Sequence, residues 1–200
     1  MQTNFDIATK GFCPPITVVL VGTVTEGNVN FMEVGWCMIV NLKPPMLAVS
    51  LEATRYSIGG IKEHGEFSVC IPDASMKDVA DYCGLFSGRD KDKAQLFDVF
   101  YSASKNMPLI QNCPVNLECV VKNTIEIPGR YIFVANIISA LARQDVMEDG
   151  RPVIEKIDPL LMTMRDNRYW RLGEIAGRAW KDGALYAPEV PHRYAPKTLK

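Results

Sequence analysis

The stretch "VNLECVVKNTIEIPGRYIFVANIISALA", residues 115–142, sets the fold class. Residues 115–127 alternate between apolar and polar side chains, the period of a strand whose two faces meet different surroundings. Pro128-Gly129-Arg130 is turn chemistry, and residues 131–142 return as a second apolar, strand-forming run. Two such runs joined by so short a turn are antiparallel neighbours.

The same signals recur on the N-terminal side. Residues 16–24, ITVVLVGTV, form a β-branched run, and TEGN at 25–28 leads into VNFMEVGW at 29–36, a second hairpin. Residues 46–51, MLAVSL, and 66–71, EFSVCI, add two more strands. Six strands with two hairpins and few helices predict a mainly β protein with peripheral helices, either an antiparallel barrel or a sandwich. The clearest helix covers 75–84, with Ser75 and Asp78 as its capping start and Gly84 as its stop; Met76, Val79, Ala80 and Cys83 fall on one face. A shorter helix is expected near 57–65, weakened by Gly59-Gly60, and a third after Asp90. The chain reads as one domain over 1–184 followed by a proline-bearing extended arm over 185–200.

Composition narrows the function classes. A formal net charge of −1 over 200 residues offers no electrostatic case for nucleic acid or an anionic membrane surface. The six cysteines are scattered without a C-x-x-C pair or a histidine at ligand spacing, so they read as buried, reduced thiols in a cytoplasmic protein rather than a metal or disulfide framework. No apolar run reaches the length of about 20 residues that a membrane helix needs, and the N-terminal ten residues lack the pattern of a signal peptide.

Three stretches carry candidate chemistry. "SLEATRYS", residues 50–57, places Ser50, Thr54, Arg55 and Ser57 in one strand-to-helix connection, where hydroxyls, a cation and backbone N–H groups suit an anion; Ser57 alone reads equally as a helix cap. "FSGRDKDK", residues 86–93, adds Ser87, Arg89 and Lys93 after the helix stop, a second cationic loop that taken alone is also an ordinary solvated one. Residues 30–40 hold Asn30 and the run Trp36-Cys37-Met38, which reads as site or as core. His64 and His192 neighbour no nucleophile or ligand set and read as surface residues. Neither G-x-G-x-x-G nor a Walker A sequence is present.

Taken in order, "NVNFMEVGWCMIVNLKPPMLAVSL", "ATRYSIGGIKEHGEFSVCIP" and "ADYCGLFSGRDKDK" resemble the flavin reductase-like family, and within it the flavoredoxin branch. "LECVVKNTIEI" and "RYWRLGEIAGRAW" extend the resemblance over residues 15–183. It implies an FMN-binding split β-barrel that works as a homodimer. It further implies that the Arg55-Tyr56-Ser57 turn cradles the FMN phosphate, aided by Ser50 and Thr54, with Leu51 and Ser87 beside them. Asn30, Trp36 and the backbone of Cys37, Met38 and Ile39 match positions that line the flavin ring. Lys93 matches a lysine that approaches the ring or the phosphate, and Arg89 shapes its loop or meets the phosphate. Ser57 stands where threonine is common, which keeps the hydroxyl. Cys37 stands where the family has a small residue and reads as a packed thiol, since nothing near it in sequence supplies a resolving cysteine. No catalytic acid or base and no metal are implied, because hydride transfer to a flavin needs neither. The resemblance leaves two functions open: an FMN-dependent reductase using NAD(P)H, and an FMN electron carrier that docks to redox proteins. The segment 169–180 is expected to cover the flavin, to cross the dimer, or simply to close the fold.

Overall fold

A computed structural model describes residues 13–185. Its strands in chain order begin with β1 (Ile16–Thr17), β2 (Val19–Thr25), β3 (Asn28–Val34), β4 (Cys37–Leu42) and β5 (Pro45–Glu52). Helix α1 (Ser57–His64), strand β6 (Glu66–Ile71) and helix α2 (Lys77–Leu85) follow. Two short pairs, β7 (Val99–Phe100) with β8 (Leu109–Ile110) and β11 (Met147–Glu148) with β12 (Arg151–Pro152), flank the long β9 (Val115–Ile127) and β10 (Arg130–Ala142). A one-turn helix α3 (Ile154–Ile157) precedes β13 (Leu161–Thr163) and β14 (Arg168–Trp170).

Seven strands form one antiparallel sheet in the order β3-β2-β6-β9-β10-β5-β4. Its two edges, β3 and β4, are consecutive in the chain and separated only by Gly35 and Trp36. Edges so tethered cannot lie far apart, so the sheet curls back on itself into a barrel that is open between them. Of the two architectures the sequence left open, the barrel is the one adopted. Every long strand predicted is present, and the β9–β10 hairpin turns on Pro128-Gly129 with Arg130 opposite Ile127.

The interior is filled by Val19, Val21, Met32, Val34, Leu47, Val49, Leu51, Phe67 and Phe133, with Ile58 and Ile61 of α1 closing one end. A second cluster, including Val18, Leu20, Phe31, Cys70, Ala80, Cys83 and Leu160, lies outside β2 and beneath α2. Strand β2 is thus buried on both faces, which is why its sequence is apolar without alternation.

Three local readings are corrected. The run 16–24 is broken at Val18, whose N–H bonds the Leu160 carbonyl at 2.8 Å, so that β1 pairs with β13 outside the main sheet. The segment ahead of α2 is capped by Asp73, whose carboxylate accepts from the Ser75 N–H at 2.8 Å; Ser75 is not the cap, and α2 runs past Gly84 to Leu85. The helix expected after Asp90 is only a 3-10 turn at Ala94–Leu96, which has no buried residue to hold a longer one in place. By contrast α1 forms despite Gly59-Gly60, because Ser57, Ile58, Gly60 and Ile61 are buried and packing outweighs propensity. Of the arm expected over 185–200, residues 186–200 lie outside the described residues, as does His192. His64, at the end of α1, is partly buried 3.9 Å from the Glu63 carboxylate.

Candidate functional site

Two adjoining cavities, each of about 310 Å³, open on one side of the barrel and share Met32, Glu52, Arg55 and Leu85. The first is bounded by the β5–α1 connection and the loop after α2. Thr54, Arg55, Tyr56 and Ser57 line it from one side and Ser87, Gly88, Arg89 and Lys93 from the other, so both cationic loops of the sequence meet there.

The connection is shaped by its own hydrogen bonds. The Arg55 N–H closes a turn onto the Glu52 carbonyl at 3.0 Å, and the Ile58 and Gly59 N–H groups bond the Arg55 and Tyr56 carbonyls. The amides of Tyr56 and Ser57 have no backbone acceptor among the described residues, as expected of the first positions of a helix. Ser57 is fully buried, and its hydroxyl accepts from Asn30 Nδ2 at 2.9 Å. Asn30 comes from β3, is 2% exposed, and its Oδ1 has no partner among the described residues. Gly88 leaves room for that amide: a Cβ there would stand 2.3 Å from Asn30 Oδ1 and 2.6 Å from the Tyr56 ring. The Tyr56 hydroxyl is anchored on the Thr25 carbonyl at 3.0 Å, which fixes the turn to β2.

The three cations hold different positions. Arg55 pairs with Glu52 at 3.1 Å on the surface. Arg89 donates to the Thr54 carbonyl at 3.2 Å and lies over the Tyr56 ring, tying the two loops together. Lys93 is 2% exposed and donates to the Cys83 and Phe86 carbonyls at 3.1 and 2.9 Å, closing the C-terminal end of α2. Burial lowers its affinity for a proton, countered in part by Cys83. Two of its three protons are therefore committed to the loop it sits in.

The second cavity sits at the opening of the barrel. Val34, Gly35 and Trp36 contribute from the link between the two edge strands, Ser50 and Leu51 from β5, Asp81 and Gly84 from α2, and Met162 and Met164 from the C-terminal part of the chain. Arg130, at the start of β10, donates to the Ser50 hydroxyl and carbonyl at 2.9 Å each and lies over the Trp36 ring. Ser50 is thus engaged with Arg130 in this cavity and does not line the first one.

Cys37, Met38 and Ile39 line neither cavity. They occupy β4, an edge strand on which Met38 and Ile39 are 66% and 51% exposed. The run is therefore not core, although Cys37 packs against the interior cluster, and burial pushes its thiol up to about 12. A thiol so placed stays protonated and inert, in line with the packed reading of the sequence. Tyr169 and Trp170 belong to β14, residues 171–178 are exposed and irregular, and among the described residues none beyond Met164 lines either cavity.

Sequence reasoning missed Glu33, Glu52, Asp81, Arg130, Met162 and Met164. Arg130 read as part of a turn, and its partner Ser50 lies 80 residues away, a separation that no local spacing reveals.

A family model described as "Flavin reductase like domain" matches residues 13–171. The fold is similar to the crystal structure of flavoredoxin from Methanosarcina acetivorans, with a TM-score of 0.90 and 43% identity over 92% of this chain and 100% of that one. It is also similar to flavoredoxin of Desulfovibrio vulgaris (Miyazaki F), with a TM-score of 0.84 and 28% identity over 90% of this chain and 100% of that one. A curated relative from Archaeoglobus fulgidus, described as an uncharacterized protein, is 31% identical over 143 residues, covering 70% of this chain and 79% of its own.

Proposed function

The chain belongs to the flavin reductase-like family, and from that premise we propose that it is an FMN flavoprotein of electron transfer, the first cavity taking the phosphate end and the second the ring. One observation carries the placement. Arg55, two amides without backbone acceptors, the hydroxyls of Thr54 and Ser57, and the unpartnered Asn30 Oδ1 converge on a cavity whose cations outnumber its carboxylates.

The residues present fit the group. A phosphate dianion is held by N–H donors and a guanidinium, and Arg55 is free to exchange its exposed contact with Glu52 for a stronger one. The orphaned Asn30 oxygen needs a donor, which a polyhydroxyl chain supplies. In the second cavity Trp36 offers a flat apolar face and Arg130 a fixed positive charge of the kind that stabilises negative charge on a reduced flavin. The flavin, when bound, carries the electrons; the chain positions it, shields it and sets the charge around it.

Between reductase and carrier, the likeness to two flavoredoxins supports the carrier. So does the apolar rim: Trp36, Leu85 and Phe86 are 47%, 70% and 42% exposed beside the cavities, a surface suited to docking a redox protein. The unpaired edge strand β4 with exposed Met38, Ile39, Val40 and Leu42 supports a homodimer, since a flat apolar edge is rarely left bare. The six free cysteines support the reducing environment of the cytoplasm.

The test is anaerobic. FMN-loaded protein is mixed with NADH and then NADPH while the visible flavin band is followed. Persistence of colour with both, and bleaching by dithionite, is the result expected of a carrier. Rapid bleaching by either nucleotide makes the protein a reductase, and a protein that takes up no added FMN overturns the placement altogether.

A further inference from the structure

The second cavity carries two carboxyl groups, Glu33 from β3 and Asp81 from α2. Tyr169 of β14 stands between them, its hydroxyl 2.7 Å from Glu33 Oε1 and 2.9 Å from Asp81 Oδ1. A phenol has one proton to donate. It satisfies one of the two oxygens; the other contact becomes a hydrogen bond only if that carboxyl carries a proton and donates it to the phenol oxygen. The Glu33 carboxylate also lies close to α2, where a Cβ on Gly84 would stand 2.4 Å from Oε2. Burial raises the Glu33 carboxyl above its ordinary range; the Tyr169 hydrogen bond opposes this and the charge of Asp81 reinforces it.

We propose that Glu33 and Asp81, in the wall of the second cavity, share through the Tyr169 hydroxyl one proton besides the phenol's own, and that the trio's hold on this proton tightens when the cavity gains negative charge. The inference rests on the reading of that cavity as the place of the flavin ring. A flavin bound there would, on gaining two electrons and one proton, carry one more negative charge on its ring, and the additional proton would enter the trio from water. The other charged groups around the trio are already committed. Cys83, on α2, interacts with both Glu33 and Lys93, and Lys93 is bonded to the end of that helix. Arg55 and Arg130 line the same cavity but meet Glu52. Arg168 and Arg171, beside Tyr169 in sequence, pair with Asp166 and Asp158. None of these described cations is bonded to the trio.

The sign of the linkage follows. Negative charge nearby raises the proton affinity of a carboxyl. Between the trio's pKa with oxidised flavin and its higher pKa with reduced flavin, reduction therefore takes up an extra proton, and the midpoint potential falls more steeply with pH than on either side.

Two measurements test this on the full chain. Infrared spectra of the flavin-free protein across pH should show a protonated carboxyl C=O stretch that titrates above the ordinary carboxylate range and is lost in Glu33→Gln. Tyr169→Phe, which keeps the ring but not the bridge, should shift that titration; should Glu33→Gln fail to fold, Tyr169→Phe decides. Potentiometric titration of the FMN-loaded protein should show the steeper segment in the wild type and its loss in Glu33→Gln. Absence of the infrared band overturns the shared proton. A band with identical potential–pH curves in both proteins overturns the coupling and leaves the flavin placement standing. A protein that binds no FMN overturns the coupling together with the placement, while the infrared band still decides the proton.

Discussion

The two cavities are alike in volume and opposite in charge. The first sets Arg55, Arg89 and Lys93 against Glu52 alone, whereas the second sets Arg55 and Arg130 against Glu33, Glu52 and Asp81. They meet at Arg55 and Glu52, so one ion pair divides a region that attracts an anion from one that holds protons. A ligand that fills both must be anionic at one end and tolerant of protons at the other, which is the charge pattern of a flavin nucleotide.

The comparison breaks first at the phosphate end. Arg55→Ala with Ser57→Ala removes a guanidinium and the hydroxyl bonded to Asn30, and should weaken FMN binding about 100-fold, or about 2.7 kcal/mol. Riboflavin, which lacks the phosphate, should lose less than about 3-fold. Equal losses measured by fluorescence quenching would remove the phosphate from the first cavity.

Lys93 separates holding the ligand from holding the loop. Lys93→Met leaves the Cys83 and Phe86 carbonyls without their donor and should cost about 2 kcal/mol of stability in urea, with the preference for FMN over riboflavin retained. A lost preference with stability intact would make Lys93 a phosphate ligand instead. At the ring end, Arg130→Met should weaken FMN and riboflavin alike by about 10-fold, because Ser50, Glu52 and Trp36 lose their common partner. Sensitivity of FMN alone would place the phosphate near Arg130 and reverse the assignment of the two cavities.

The same contrast explains what could be read from the sequence. Residues 50–57 and 86–93 are contiguous, and each announces its chemistry through hydroxyls and cations crowded into a loop. The β9–β10 hairpin was equally legible because strand alternation and turn residues are local signals. The second cavity draws on β3, the Gly35–Trp36 link, β5, α2, β10 and the region of β13, and its chemistry exists only once the barrel closes. Strand β4 escaped notice because its side chains are apolar yet exposed, a pattern that the alternation of a half-buried strand does not describe. Cys37–Ile39, matched to the flavin ring by resemblance alone, lie on this edge strand and line neither cavity.

The smallest expected effect tests the acidic wall without any flavin. The Glu33 carboxyl binds its proton more tightly in the fold than at its ordinary value of 4.5. Below the unfolded carboxyl's range both states are protonated, and this group's contribution to stability is fully present. As pH rises through the raised value the folded state must give up a proton that the unfolded chain has already lost, so the contribution disappears. The group is partly open to solvent, and screening holds its size below about 1 kcal/mol. The thermal midpoint of the wild type should therefore fall slightly relative to Glu33→Gln from weakly acidic to neutral pH, since glutamine cannot ionise. A difference that ran the other way, with the wild type gaining on the variant as pH rises, would mean that Glu33 is stabilised as a carboxylate. The second cavity would then be a site of fixed negative charge, and its contrast with the first would be sharper but no longer a matter of protons.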